Sequence, residues 1–117
     1  MDLDKAAAAH GEWKLKFRAA IQQKAQLDAQ AIGKDHVCPL GQWLHGAAKA
    51  KYAGMKSYAV CVEKHAAFHK EAGKVAVAIN AGKYADAEAM IGGGTAYTAA
   101  SSAVGGAVLG LRKEASL

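Results

Sequence analysis

Apolar residues recur every three or four positions along this chain, and no stretch alternates as a strand does. The pattern predicts an all-α fold, an antiparallel four-helix bundle with an additional short helix, made by residues 1–117 as a single domain. The first helix is expected to run from Asp2 or Asp4, either a suitable cap, to about Ala31, with Leu3, Ala6, His10, Trp13, Phe17, Ile21 and Leu27 on its inward stripe. Gly33 then reads as a stop, and Asp35 and His36 fall in a linker. A short second helix starts at Cys38-Pro39, because proline lacks only an N–H that the first turn would leave unpaired; Cys38 becomes its N-cap.

After Gly46 a loose, lysine-rich segment leads into a long third helix from about Lys56 to Asn80. Its stripe is Tyr58, Cys61, His65, Phe68, His69, Ala72, Val75 and Ile79, and Ala81-Gly82 ends it. The last helix is expected from Tyr84 to Glu114 in one piece. Its stripe (Ala87, Met90, Ile91, Gly94, Tyr97, Ser101, Val104, Val108, Leu111) stays in phase across Gly92-Gly93-Gly94 and Gly105-Gly106, although each glycine costs roughly 1 kcal/mol against alanine. Its small residues Gly94, Ser101, Ala103, Gly106 and Gly110 are expected to let a neighbouring helix approach closely.

The net charge of +5 would suit an anionic partner, but the lysines are spread along the whole chain with Asp and Glu among them and no aromatics interleave with a basic patch, so no nucleic-acid partner is expected. No apolar run approaches the roughly 20 residues that cross a bilayer, so no membrane partner is expected either. Two cysteines without an apolar leader give no disulfide framework and point to a reducing cytoplasm.

The chemistry lies on the inward stripes. His65 and His69, at i and i+4, share one face of the third helix, and His10 points inward from the first. One inward histidine is ordinarily a core residue with a satisfied hydrogen bond. Three of them would each bury a polar nitrogen at a cost of about 1–3 kcal/mol if unpaired, and a shared metal ion satisfies them together. Zinc takes four ligands from imidazole, thiolate and carboxylate. Cys38 suits the vacancy, because a helix start favours negative charge and should lower its thiol pKa. Cys61 competes for the place, yet Cys61 and His69 stand two turns apart, about 11 Å along the helix axis, too far for comfortable ligation of one ion. His36, in the linker, suits a surface or supporting role, and His45, at the end of the short helix, is expected to be solvated. A site closed by four protein ligands lacks the open position of a catalytic zinc, and no inward carboxylate stands ready as a general base, so no enzyme is expected.

The segments HGEWKLKFRAAI, CPLGQWLHG, HAAFHKEAGKVA and the glycine-rich last helix with TAASSAV resemble the chemoreceptor zinc-binding (CZB) domain family, over about Leu3 to Leu111. Relatives of this kind lie at the C-terminal end of bacterial methyl-accepting chemotaxis proteins, stand alone, or accompany diguanylate cyclases. The resemblance implies a cytoplasmic four-helix bundle, often dimeric, holding one zinc through His10, Cys38, His65 and His69. Trp13 and Trp43 fall on its packing tryptophans, and Phe68 lies in its downstream histidine motif. It further implies a sensor of zinc or of thiol oxidants, acting in chemotaxis or cyclic-di-GMP signalling, with Cys38 as the redox switch. The alternatives are a purely structural zinc bundle and, behind it, a zinc-dependent hydrolase. Neither a signalling helix nor a cyclase region is present, so either a stand-alone member or one domain of a longer receptor is expected.

Overall fold

The computed structural model describes residues 1–117, all-helical and without strands, in eight segments. The first two are α1 (Leu3–Gly11) and α2 (Trp13–Gln23). Asp2 caps α1, accepting the Lys5 N–H at 3.1 Å. Between them Glu12 keeps a right-handed helical backbone (φ −73°, ψ −15°) and its carbonyl accepts from Leu15 and Lys16, so the chain passes from α1 into α2 with only a local tightening.

The first helix does not continue to Ala31 as its periodicity suggested. It ends at Gln23, where Lys24 turns left-handed (φ 52°). The reason lies across the chain. The Asn80 side chain pairs with the backbone of Leu27, accepting its N–H and donating to its carbonyl, both at 2.8 Å. That pairing holds Leu27 outside any helix, and Asp28 then caps the separate turn α3 (Ala29–Ile32). The short helix α4 (Pro39–His45) begins as expected, with Cys38 as its N-cap. The lysine-rich segment after it is not loose but forms α5 (Ala47–Tyr52).

Helix α6 (Lys56–Asn80) matches its expected span, and all eight residues of its expected stripe are buried. The expected single last helix is instead two: α7 (Tyr84–Met90) and α8 (Ala96–Glu114). Gly94 takes a left-handed φ of 76°, and Thr95 recaps the chain by accepting the Thr98 N–H while donating to Gly92. Gly105-Gly106 remain helical.

The small residues of α8 do not receive a neighbouring helix in the way expected. A Cβ added at Gly106 or Gly110 would meet nothing within 4 Å. The close approach occurs elsewhere, between the end of α3 and α6: a Cβ on Gly73 would lie 2.9 Å from the Gly33 Cα. Helix α6 forms the centre, packed against α8, α3 and α2, and α8 in turn packs on α1. Phe17, Phe68, Leu40, Leu44, Ile79 and Leu111 fill the core between them. No helix is long and apolar enough to cross a membrane.

Candidate metal centre

Three elements carry donor atoms to one point. His10 comes from the last turn of α1, His65 and His69 from the inward face of α6, and Cys38 from the N-cap of α4. Their donor atoms all lie within 4.8 Å of one another. The Cys38 Sγ stands 3.8 Å from His10 Nε2, 3.2 Å from His65 Nε2 and 3.5 Å from His69 Nε2. The three histidines are 0–5% exposed.

Two of the rings are oriented by main-chain carbonyls. The Nδ1–H of His10 donates to Ala6 in the preceding turn, and that of His69 donates to Ile32 at the end of α3, each at 2.8 Å. A proton on Nδ1 leaves Nε2 bare, so both rings turn a lone pair toward the same spot. His65 Nε2 stands 3.0 Å from His69 Nε2, while His65 Nδ1 is buried without a partner. Since His69 Nε2 is bare, His65 Nε2–H donates in that contact, and ring packing adds to it, with the His65 centroid 4.5 Å from His69 and 5.0 Å from His10. Phe68 packs edge-on to His10 at 5.3 Å and to His69 at 5.4 Å, fixing both from the core side.

The electrostatics suit a cation. Burial lowers the pKa of all three histidines; neighbouring histidines add to the effect at His10 and at His65, which comes down to about 3, while the Ile32 carbonyl and Asp35 partly offset it at His69. Lowered from 6.5, all three favour the neutral imidazole near pH 7, the form that can donate a lone pair to a metal. The bare Nε2 atoms of His10 and His69 face the same spot, and a shared divalent cation would be held by them. Three imidazoles and one thiolate form a donor set that zinc accepts, and a tetrahedral centre with bonds of about 2.05 Å to nitrogen and 2.3 Å to sulfur requires S···N separations near 3.5 Å. The observed 3.2–3.8 Å straddles that value.

The expectation that the helix start lowers the Cys38 pKa is not met in the metal-free protein. Burial raises it, outweighing the backbone N–H groups of Gly41 and Leu40 that favour the thiolate. The helix is one of only seven residues, and desolvation of a half-buried thiol exceeds what its amides return.

Cys61 stays outside the cluster as a buried core residue, its thiol pushed up to about 11 by burial. His36 is exposed in the linker, its Nδ1 3.9 Å from Asp35. His45 is not simply solvated: its Nε2 stands 3.0 Å from Asp35 Oδ2. Although burial works the other way, this bond holds the Asp35 carboxyl below its ordinary range. Gly41 reinforces the contact, since an added Cβ would fall 1.9 Å from the Asp35 carbonyl oxygen. The loop that carries Cys38 is thus pinned to α4 at Gly41 and His45. Trp13 and Trp43 are partly buried against the core, Trp13 beside Phe17 at 5.3 Å and Trp43 beside Tyr52 of α5 at 6.1 Å.

The backbone acceptors on Ala6 and Ile32 and the Asp35–His45 pair were not foreseen. The first two are main-chain atoms, which leave no mark in residue type. The third had a signal in the acid-and-histidine spacing of Asp35 and His45 on either side of the cysteine helix.

A family model described as the chemoreceptor zinc-binding domain matches residues 10–76, more than half of the chain and the segment that contains all four donor residues. Neither the curated proteins nor the solved structures compared with the chain include a match.

Proposed function

Because the chain belongs to the chemoreceptor zinc-binding domain family and has zinc as its cofactor, we propose that His10, Cys38, His65 and His69 hold one zinc and that the protein is a sensory or regulatory module rather than an enzyme. The observation that carries this reading is the convergence of four donor atoms from three separate elements, two of them on rings already oriented by main-chain carbonyls. Four protein ligands close a tetrahedral ion and leave no place for a reacting water. We read the architecture as a single domain, an antiparallel four-helix bundle with the short cysteine helix added, supported by the packing of α8 on both α1 and α6. The family points to a cytoplasmic protein, often a dimer, in chemotaxis or cyclic-di-GMP signalling.

Bound zinc supplies a positive charge that keeps the Cys38 sulfur as a thiolate. The chain supplies the asymmetry. His65 and His69 sit on the longest helix and His10 on a capped one, whereas Cys38 tips a seven-residue helix. Loss of the ion, or two-electron oxidation of the Cys38 thiolate to sulfenic acid by a peroxide-class oxidant, would remove the one bond that ties the start of α4 to α1 and α6. Helix α4 then remains attached through Leu40, Leu44 and the Tyr58 hydroxyl, which donates to the Leu44 carbonyl at 2.6 Å. The switch is the freedom of α4 and α5 with the helical core intact.

Metal analysis of the purified protein tests the site. About one zinc per chain is expected. Cys38→Ala and His65→Ala should each weaken zinc binding by more than about 100-fold, beyond what loss of an outer partner costs. Cys61→Ala should leave it unchanged. Full zinc retention in Cys38→Ala would refute the ligand set. A purely structural zinc is distinguished by chelation: global unfolding on zinc removal favours it, whereas a change confined to residues 35–53 favours the switch.

A further inference from the structure

Beside the donor cluster, between α1 and the start of α4, lies a cavity of about 440 Å³. His10 and Cys38 form part of its wall, Trp13 and Leu40 supply apolar surface, and Lys5 and Lys16 are the basic residues of its lining. Lys16 lies over the Trp13 ring, its Nζ 4.7 Å from the centroid. Its charge also acts on His10, adding to burial and to His69 in disfavouring the protonated ring. The only acid in the lining is Asp2, whose carboxylate caps α1 by accepting the Lys5 N–H. The cavity therefore combines apolar walls with an excess of positive charge, and it abuts Cys38 at the start of α4.

We propose that this cavity binds a small aromatic monocarboxylate, with the ring against Trp13 and Leu40 and the carboxylate toward Lys5 and Lys16. The charge excess selects an anion, and the apolar walls select one with a hydrocarbon body. No arginine in the lining offers the two-pronged donor that favours phosphate. A molecule seated there covers the Cys38 side of the cluster. Its presence should slow attack on the sulfur and withdrawal of the metal, linking a second ligand to the state of the centre without contact to the ion. The proposal rests on the cavity and not on the zinc reading, and zinc content is measured separately in each sample.

The test is titration of the zinc-loaded full chain with benzoate, followed by amide and indole NMR shifts, with the neutral isostere benzamide in parallel. Saturable shifts are expected at Ala6, Ala9, Leu40 and the Trp13 indole. Benzamide should bind at least about fivefold more weakly, as should benzoate to Lys5→Gln/Lys16→Gln, the factor expected when one close charge attraction in a water-exposed site is lost. Alkylation of Cys38 by iodoacetamide in the metal-free chain should slow as benzoate saturates. Equal affinity for benzoate and benzamide, shifts centred on another face, or no saturation by about 10 mM would overturn the proposal. A chain that takes up no zinc when offered the ion but shows the benzoate shifts would refute the metal assignment and leave the cavity standing.

Discussion

The Nδ1–H of His69, on the central helix α6, donates to the carbonyl of Ile32, the last residue of α3, at 2.8 Å. One turn beyond His69, Gly73 lies so near Gly33 that its added Cβ would stand 2.9 Å from the Gly33 Cα and 3.4 Å from the Gly33 nitrogen. The absence of a side chain at Gly73 is thus what lets α3 sit low enough to orient a donor ring.

Gly73→Ala should therefore act twice. Both colliding atoms are backbone, so α3 must lift rather than a side chain turn, and overpacking of this kind costs about 1–3 kcal/mol. The lift lengthens the Ile32–His69 bond and frees the ring that it holds. We expect a lower denaturation midpoint in the metal-free protein together with a zinc affinity reduced by about 10-fold or more, the range seen when an outer partner of a ligand is lost. Gly105→Ala, where an added Cβ meets nothing within 4 Å, is the matched control and should leave affinity unchanged while gaining helix propensity.

The Asp35–His45 pair leads to a smaller, kinetic effect. Both side chains are partly solvated, so the bond is worth no more than about 1 kcal/mol. It nonetheless bridges the loop that ends in Cys38 to the far end of α4. His45→Ala should leave the fold and zinc stoichiometry unchanged and speed zinc transfer to a competing chelator by up to about fivefold. Unchanged transfer rates would show that the Gly41 contact alone pins the loop.

Most of the candidate site was legible in the sequence because its residues break the local rule. A histidine on an apolar stripe is conspicuous, and three of them demand a common explanation, so His10, His65 and His69 stood out before any coordinates. Helix α6 was legible for its length: a stripe sustained from Tyr58 to Ile79, about six turns, leaves little freedom in phase or ends. The first helix was overrun because what ends it is the Asn80 side chain, 53 residues away from Leu27. The last helix was overrun because periodicity survives one irregular turn, in which Gly94 takes a left-handed φ and Thr95 recaps the chain. The Cys38 pKa went the other way because the sequence displays the helix start and hides the burial.

Thr95 offers a test of that break. Its hydroxyl accepts the Thr98 N–H at 3.2 Å and donates to Gly92 at 2.9 Å, closing the turn between α7 and α8. Thr95→Ala should destabilise the protein by about 1 kcal/mol, read from chemical denaturation, without changing zinc affinity, since neither helix carries a donor residue.

Acidification of the metal-free protein should reveal the buried imidazoles. His65 titrates near 3 in the folded chain against an ordinary value of 6.5, and His10 and His69 are lowered as well. The unfolded chain therefore takes up protons first. The stability that neutral burial allows is fully present above about pH 6.5 and is lost progressively as pH falls from there toward 3, at up to about 1.4 kcal/mol per pH unit for each histidine. Denaturation midpoints measured from pH 8 to pH 4 should fall on the acid side, and replacing His65 by a neutral isostere such as Gln should flatten the slope.

The same protonation states fix what zinc binding releases. Near neutral pH the three histidines are already deprotonated, because burial lowers each of them, whereas the Cys38 thiol is still protonated, because burial raises it. A zinc-bound sulfur is a thiolate, so one proton must leave the chain for each ion taken up, and it must come from Cys38. Calorimetric titration at pH 7 in buffers of differing ionisation enthalpy should therefore return about one proton released per zinc. The same measurement on Cys38→Ser, whose hydroxyl binds zinc poorly and holds its proton at this pH, should return a value near zero with much weaker binding. A release of two or more protons in the unaltered protein would mean that a histidine is charged before the ion arrives, contrary to the neutral rings, two of them carbonyl-oriented, on which the site is built.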